Sequence, residues 1–236
     1  MKRNLLYLLT LALLVSSCNK ENTETLNIPV SGFNTLTLDD RFDVVLTQGT
    51  VEELKVTGHP ALTKNVSIDQ EGTELHIRSK GGSAWLRPGN NKVTLHITVK
   101  ELKRININET CNVSCSNALT GNEIGMVMTG KYAEAALQLN CNIFYFWNNF
   151  PCGGKVLLSG NVQQLKVWNH ALMQIEAQEL ITQSCLIENN SKGTIRSVVQ
   201  QSLTYKITGE GDIVIKGNPT NIQSLGDEGD GDLVFE

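Results

Sequence analysis

Basic residues are scarce: after Arg3 no run of Lys or Arg appears, and the net charge is −4. Nucleic-acid binding needs a clustered basic footprint, so that class of partner is excluded. The chain also has no Gly-x-Ser-x-Gly elbow, no Walker loop and no His-Glu-x-x-His pair, the local signatures of serine hydrolases, nucleotide-phosphate binding and zinc proteases. Nothing in it calls for a cofactor. Helical periodicity is missing beyond the N-terminus; Ala133 to Leu139 is the single candidate, and it is too short to stand alone. The longest apolar run, Leu5 to Val15, has eleven residues, well short of the roughly 20 that a membrane-spanning helix needs.

What is present is ordinary for a globular chain: 236 residues, 40% hydrophobic and 19% charged, enough to bury a core. Lys2 and Arg3 precede the apolar run, which leads through Ser16 and Ser17 to Cys18, the layout of a bacterial export signal over residues 1–17. Val15-Ser-Ser-Cys18 resembles a lipobox, so Cys18 is expected to carry lipid and to hold the protein on a membrane. Residues 18–32 read as the lipidated Cys and a polar, flexible tether. Lys20-Glu21 beside the anchor resembles part of a surface-export signal, so the expected place is the outer membrane, facing either the cell surface or the periplasm. Five cysteines remain: Cys111, Cys115, Cys141, Cys152 and Cys185. Their odd number leaves at least one thiol unpaired, and whether Cys111, Cys115, Cys141 or Cys152 form disulfides is open. Cys185 reads as a small core residue. Cys111 and Cys115 match no zinc spacing.

The most informative pattern is a repeat. Ile107, Met128, Phe146, Val167, Ile187, Ile207 and Leu225 follow one another at gaps of 21, 18, 21, 20, 20 and 18 residues. Two positions earlier stand Ile105, Met126, Phe144, Leu165, Cys185, Tyr205 and Gln223; two positions later stand Glu109, Gly130, Asn148, Asn169, Asn189, Gly209 and Asp227. The later column reads as turn residues, which tolerate a left-handed backbone or bond their own main chain. Alternation closed by a turn near every twentieth residue is the pattern of an all-β solenoid. The expected fold is a right-handed parallel β-helix with coils of about 20 residues.

Residues 33–100 follow the same rule more weakly. Leu36-Thr-Leu38, Leu54-Lys-Val56, Leu75-His-Ile77 and Leu95-His-Ile97 recur at gaps of 18, 21 and 20, with Thr37, Lys55, His76 and His96 expected to face water. The step from Ile97 to Ile107 is only 10 residues. That half-period divides the 33–236 domain into sections 33–100 and 101–236. An antiparallel arrangement is the rival within 33–100, where Glu71-Gly72-Thr73 and Gly81-Gly82 suit hairpins. The acidic, glycine-rich Gly226 to Asp232 followed by Leu233-Val-Phe235 suits a polar last turn and a final strand, since solenoids must cap their ends.

The lipobox, Phe33-Asn-Thr-Leu-Thr-Leu38, Phe42-Asp-Val44 leading to Thr47-Gln-Gly49, Asp69-Gln-Glu-Gly72, the Thr-Gly turns at 129–130 and 208–209, and Gly211-Asp-Ile213 with Gly217-Asn-Pro219 together resemble the head GIN domain of auto-transporter adhesins. The resemblance runs from Phe33 to the end. It implies a β-helical fold and an adhesin-like role, and it brings no catalytic residue. This chain departs from that family's Ser-Gly-Ser-Gly turns by carrying Trp147-Asn148-Asn149 and Trp168-Asn169-His170.

Those departures supply the candidate site. Trp147 and Trp168 occupy one column on neighbouring rungs, with Asn149, His170 and Asn190 beside them. Indoles flanked by amides stack on sugar rings, so the expectation is a non-enzymatic envelope lipoprotein that binds a glycan or another surface ligand, a protein included. A bend at Phe150-Pro151 or a covering partner chain would instead bury the pair. His76 and His96 share a proposed column but lack a third metal ligand, and they read as a solvated face. Asp227, Asp230 and Asp232 read as a polar cap rather than a calcium loop. Asp39, Asp40 and Asp43 come nearest to a catalytic cluster, without a basic neighbour. Two alternatives accompany the binding role: an assembly protein whose rung ends stack into homo-oligomers, and a polysaccharide-active β-helix enzyme.

Overall fold

The computed structural model describes residues 22–80, 92–149 and 151–236. The export signal, Cys18, Lys20-Glu21, Gly81-Gly82 and Phe150 lie outside these residues. Of the described residues 68% are strand and 2% helix, one curled sheet wound into a β-solenoid of about seven turns. Among the described residues, no helix is long and apolar enough to cross a membrane.

Each long strand folds over successive sides of the solenoid. On the first side the strands lie in the order β5 (Val66–Glu71), β6 (Glu74–Ser79), β2 (Thr35–Leu38), β8 (Arg104–Ile107) and β10 (Leu119–Met128). The C-terminal parts of β11 (Tyr132–Asn148), β12 (Gly153–Asn169), β13 (Leu172–Asn189) and β14 (Ile195–Ile207) continue it, and β16 (Asn221–Asp227) ends it. The second side runs β1 (Glu24–Ile28), β4 (Glu53–Gly58), β7 (Val93–Val99), β3 (Phe42–Gln48), β9 (Cys111–Cys115), the N-terminal parts of β11 to β14, β15 (Ile213–Lys216) and β17 (Leu233–Phe235). The third side is made by mid-strand segments, where Leu119 pairs Leu139, Leu139 pairs Gly160 and Gly160 pairs Leu180. Parallel neighbours lie about 4.8 Å apart, so ten strands on the first side span roughly 45 Å.

The interior is a set of straight files. Leu36, Leu75, Ile105, Met126, Phe146, Val167 and Ile187 stack in register along the first side, all with no solvent exposure. Alternate residues point into or out of each sheet, so parallel inward files of large apolar side chains fill the prism. The segment from Ala133 to Leu139 alternates buried and exposed and is part of β11. Its period is two, which is why no helix forms there.

The register differs from the repeat read in the sequence. Met128 pairs Asn148, not Phe146, and Ile187 pairs Tyr205, not Ile207. The true file is Ile107, Met128, Asn148, Asn169, Asn189, Ile207 and Asp227. Because side chains alternate with a period of two, a slip of two residues leaves every inward position inward. What changes is the role of the asparagines. Asn148, Asn169 and Asn189 are not left-handed turn residues; every positive φ among the described residues belongs to a glycine. They are buried strand ends that form an amide ladder inside the corner.

The first section is also built differently from a run of four stacked rungs. Thr35 to Gln48 lies directly beneath Arg104 to Asn117, with contacts at a constant separation of 69 residues: Asn106 to Thr37, Asn108 to Asp39, Asn112 to Asp43 and Ser116 to Thr47. The rung of β2 and β3 therefore intercalates between β6–β7 and β8–β9, and the expected sections 33–100 and 101–236 merge into one sheet. The half-period step arises because β7 lies on the second side and β8 on the first. Leu54 and Val56 pair antiparallel with Ile97 and Leu95, and β5 and β6 form a hairpin around Gly72-Thr73, the rival arrangement in that region. Thr37, expected to face water, is buried beneath Glu74 and Asn106, with which it hydrogen-bonds.

Residues 24–28, part of the expected flexible tether, form β1 and pair antiparallel with β4. The helix α1 (Pro60–Thr63) starts from the His59 side chain, which accepts the Ala61 N–H, and it buries Leu62. With β1, β4 and the β5–β6 hairpin, α1 closes the N-terminal end of the solenoid.

Candidate functional site

The outer surface of the first side carries two files of side chains. One runs His76, Thr37, Asn106, Val127, Trp147, Trp168, Glu188 and Lys206; the other runs Glu74, Thr35, Arg104, Gly125, Tyr145, Lys166, Leu186, Thr204 and Gln223. Trp147 and Trp168 are direct partners on adjacent strands, and both are half-buried on the outward face. Their backbones are fixed from inside, because each Trp precedes a ladder asparagine.

Asn148 Nδ2 donates to Asn169 Oδ1 at 3.0 Å, and Asn169 Nδ2 donates to the Met173 carbonyl and to Ser191 Oγ, each at 2.9 Å. Asn189 Nδ2 reaches the Gly211 carbonyl at 2.8 Å, and Ser191 Oγ donates to Asn189 Oδ1 at 2.7 Å. No buried side-chain nitrogen or oxygen among the described residues lacks a partner. A fully satisfied network of this kind stiffens the corner it occupies.

Each indole is held by the following rung. The Trp147 ring lies 6.5 Å from the His170 ring at an interplanar angle of 60°, and Trp168 Nε1 donates to Glu188 Oε1 at 3.1 Å. The His170 N–H donates to Asn148 Oδ1 at 2.8 Å, so the ladder sets the imidazole beside Trp147. Asn149 and Asn190 are exposed at the same corner, and His170 is half-buried. His170 and Asn190 also line a shallow depression around the corner with Lys192, Glu210, Glu228 and Asp230. The five residues picked from the sequence thus surround one edge of the first side.

Sequence reasoning missed Tyr145. A Cβ on Gly125 would stand 1.9 Å from Tyr145 Cζ, so the ring lies across the bare glycine of the neighbouring strand. Arg104 Nε donates to the Tyr145 hydroxyl at 2.7 Å, and the guanidinium stands 5.8 Å from the ring centroid. Tyr145 and Trp147 are two apart on β11 and share its outward face. The signal was a glycine opposite an aromatic in a cross-strand pair, but the sequence register set Val127 opposite Tyr145 and hid it.

Other candidates disperse. His76 and His96 lie on different sides of the solenoid, on β6 and β7, so they form no common column. His76 sits 3.4 Å from Glu74 and 3.7 Å from Asp39. Asp39 accepts from Asn108, Asp43 from Asn112, and Asp40 from the Arg41 N–H. Among the described residues no group of three His, Cys, Asp or Glu is arranged to hold a metal.

All five described cysteines are free thiols. Burial pushes Cys111 up to about 12 and Cys141, Cys152 and Cys185 up to about 11. Thiolate is the reactive form. A disulfide-exchange reagent at pH 8 is therefore expected to modify the half-exposed Cys115 first and the other four only upon unfolding; modification of Cys152 or Cys185 as fast as Cys115 would contradict this packing.

The sequence profile of the family described as "putative auto-transporter adhesin, head GIN domain" matches residues 32–219. This chain belongs to the head GIN domain family. A crystal structure from Bacteroides fragilis, described as a putative adhesin, superposes with a TM-score of 0.83 at 20% identity, covering 91% of this chain and 97% of that one. A Parabacteroides distasonis protein with the same description gives 0.62 at 17% identity, covering 92% and 98%. Another from that organism, described as a putative lipid binding protein, gives 0.62 at 20%, covering 91% and 98%. No functionally curated protein matches the chain. At these identities the likeness to solved structures shows the fold, while the profile shows the family. The head GIN name describes adhesion, and neither it nor these neighbours' descriptions mention catalysis.

Proposed function

We propose that this head GIN protein is a non-enzymatic envelope lipoprotein, anchored through Cys18, that binds a glycan on the outer face around Trp147 and Trp168. The observation that carries this reading is the in-register pairing of the two indoles on a flat sheet, rigidly backed by the amide ladder. Aromatic surfaces stack on the apolar face of a sugar ring, and flanking amides and imidazole hydrogen-bond its hydroxyls. Asn149, Asn190 and His170 stand where such bonds are needed, and Tyr145 extends the platform along β11. Preformed geometry lowers the entropy lost on binding. On a glycan array the chain is expected to give discrete hits that the Trp147→Ala/Trp168→Ala double variant loses, with its circular dichroism unchanged. Equal binding by the variant would overturn the reading.

A further inference from the structure

The outward face that carries the indoles also carries charge of one sign. The chain has a net charge of −4, yet from β8 to β14 the two outward files hold Arg104, Lys166 and Lys206 against a single carboxylate, Glu188. Two of the three cations have acids at hand. Lys206 is the direct cross-strand partner of Glu188, and Arg104 shares its depression with Glu101 and Glu123. Lys166 is different. Its direct partners are Tyr145 on β11 and Leu186 on β13, and Trp168 follows two residues later on β12. Neighbouring parallel strands lie about 4.8 Å apart, so its Cβ stands beside those of Tyr145 and Leu186, with Trp147 on the diagonal. Lys166 is half-buried, and among the described residues it makes no hydrogen bond, ion pair or cation–π contact. Glu188, on its other diagonal, is engaged by Trp168 Nε1 instead. Lys55, Lys103 and Lys192, by contrast, each have a carboxylate within 3.6 Å.

We propose that the sugar bound on this face is anionic, with Lys166 taking its carboxylate or sulfate group while its ring stacks on the indoles. The inference rests on the glycan reading of the same face and narrows it to one ligand class. A lysine stem lies well along apolar neighbours while its ammonium stays in water. A ligand seated on Trp147 and Trp168 strips part of that water away. A neutral sugar then leaves the ammonium covered without a counter-charge, a costly arrangement, whereas an anionic group replaces the lost water with a charge-assisted hydrogen bond. The ammonium is a compact point charge with three donors, so it serves a planar carboxylate and a tetrahedral sulfate alike. Arg104 is less suited to this part. Its Nε already donates to the Tyr145 hydroxyl, and Glu101 and Glu123 stand in the same depression. Its contribution is to hold the Tyr145 ring down across Gly125, next to Lys166.

Calorimetric titration with matched probe pairs tests this: oligogalacturonate against its methyl ester, and a sulfated galactan oligosaccharide against its desulfated form. The two pairs separate carboxylate from sulfate. At least one anionic member should bind about tenfold or more tightly than its neutral counterpart, and the advantage should shrink as salt is added. Lys166→Met keeps the apolar stem and should erase the advantage; Lys166→Arg should keep most of it, with circular dichroism unchanged in both. Glycan binding that requires Trp147 and Trp168 but draws no distinction within either pair would overturn the inference and leave the glycan reading standing. So would array hits confined to neutral sugars, or a charge preference that survives Lys166→Met. A chain that binds no glycan at all would overturn both.

Discussion

Asn169→Ala is expected to destabilise the protein by about 3–5 kcal/mol in chemical denaturation. Asn169 is fully buried at the middle of the ladder. It accepts from Asn148 and donates to the Met173 carbonyl and Ser191. Truncation orphans the Asn148 amide and the Met173 carbonyl, and each buried polar group left without a partner costs roughly 1–3 kcal/mol. Leucine at this position should do no better, because its bulk meets the same unpaired groups. The exposed Asn149→Ala, one rung earlier and outside the ladder, should change stability by less than about 0.5 kcal/mol. A cost below about 1 kcal/mol for Asn169→Ala would mean that the amides are not stacked inside the corner.

Gly160→Ala should be as severe, by about 3 kcal/mol or more, and should show first as lost soluble yield. Gly160 has φ +102°, and a Cβ there would stand 2.1 Å from the Leu139 carbonyl oxygen of the neighbouring strand. Neither the backbone conformation nor the inter-strand distance can accommodate it, since the clash is with the sheet itself. Gly32→Ala is the control: φ is +71° but nothing lies within 4 Å of the added carbon. Its cost should be the conformational term alone, about 1–2 kcal/mol. Equal melting temperatures for the two variants would place Gly160 elsewhere than between β11 and β13.

These residues also show what the sequence could and could not reveal. The solenoid was legible because an apolar side chain every second position and a repeat near 20 residues leave few other ways to bury the chain. Register was not, because Phe144, Phe146 and Asn148 all point inward, and a two-residue slip between them costs the pattern nothing. A buried polar ladder looks like a column of turn residues when only Asn, Gly and Asp are compared. The N-terminal region was opaque for a different reason: β2 and β3 are covered by strands that come later in the chain, so adjacency in sequence stops reporting adjacency in space. β1 lies where no repeat signals it, and β4 carries the repeat's Leu54-Lys-Val56 yet runs antiparallel to β7. Trp147 and Trp168 were placed side by side because both precede a ladder asparagine and their spacing of 21 residues matches one coil. Tyr145 was overlooked because its partner is Gly125, a residue whose contribution is the absence of a side chain.

The central claim, that the half-buried, outward-facing indole pair is the binding surface, is tested most directly by the indole N–H resonances of the nitrogen-15-labelled chain during titration with the strongest glycan-array hit. Three such resonances are expected, from Trp85, Trp147 and Trp168. Those of Trp147 and Trp168, assigned through the single Trp147→Phe and Trp168→Phe variants, should move together and saturate at one affinity. An array without a hit, or a bound glycan that leaves both resonances in place, would contradict the account.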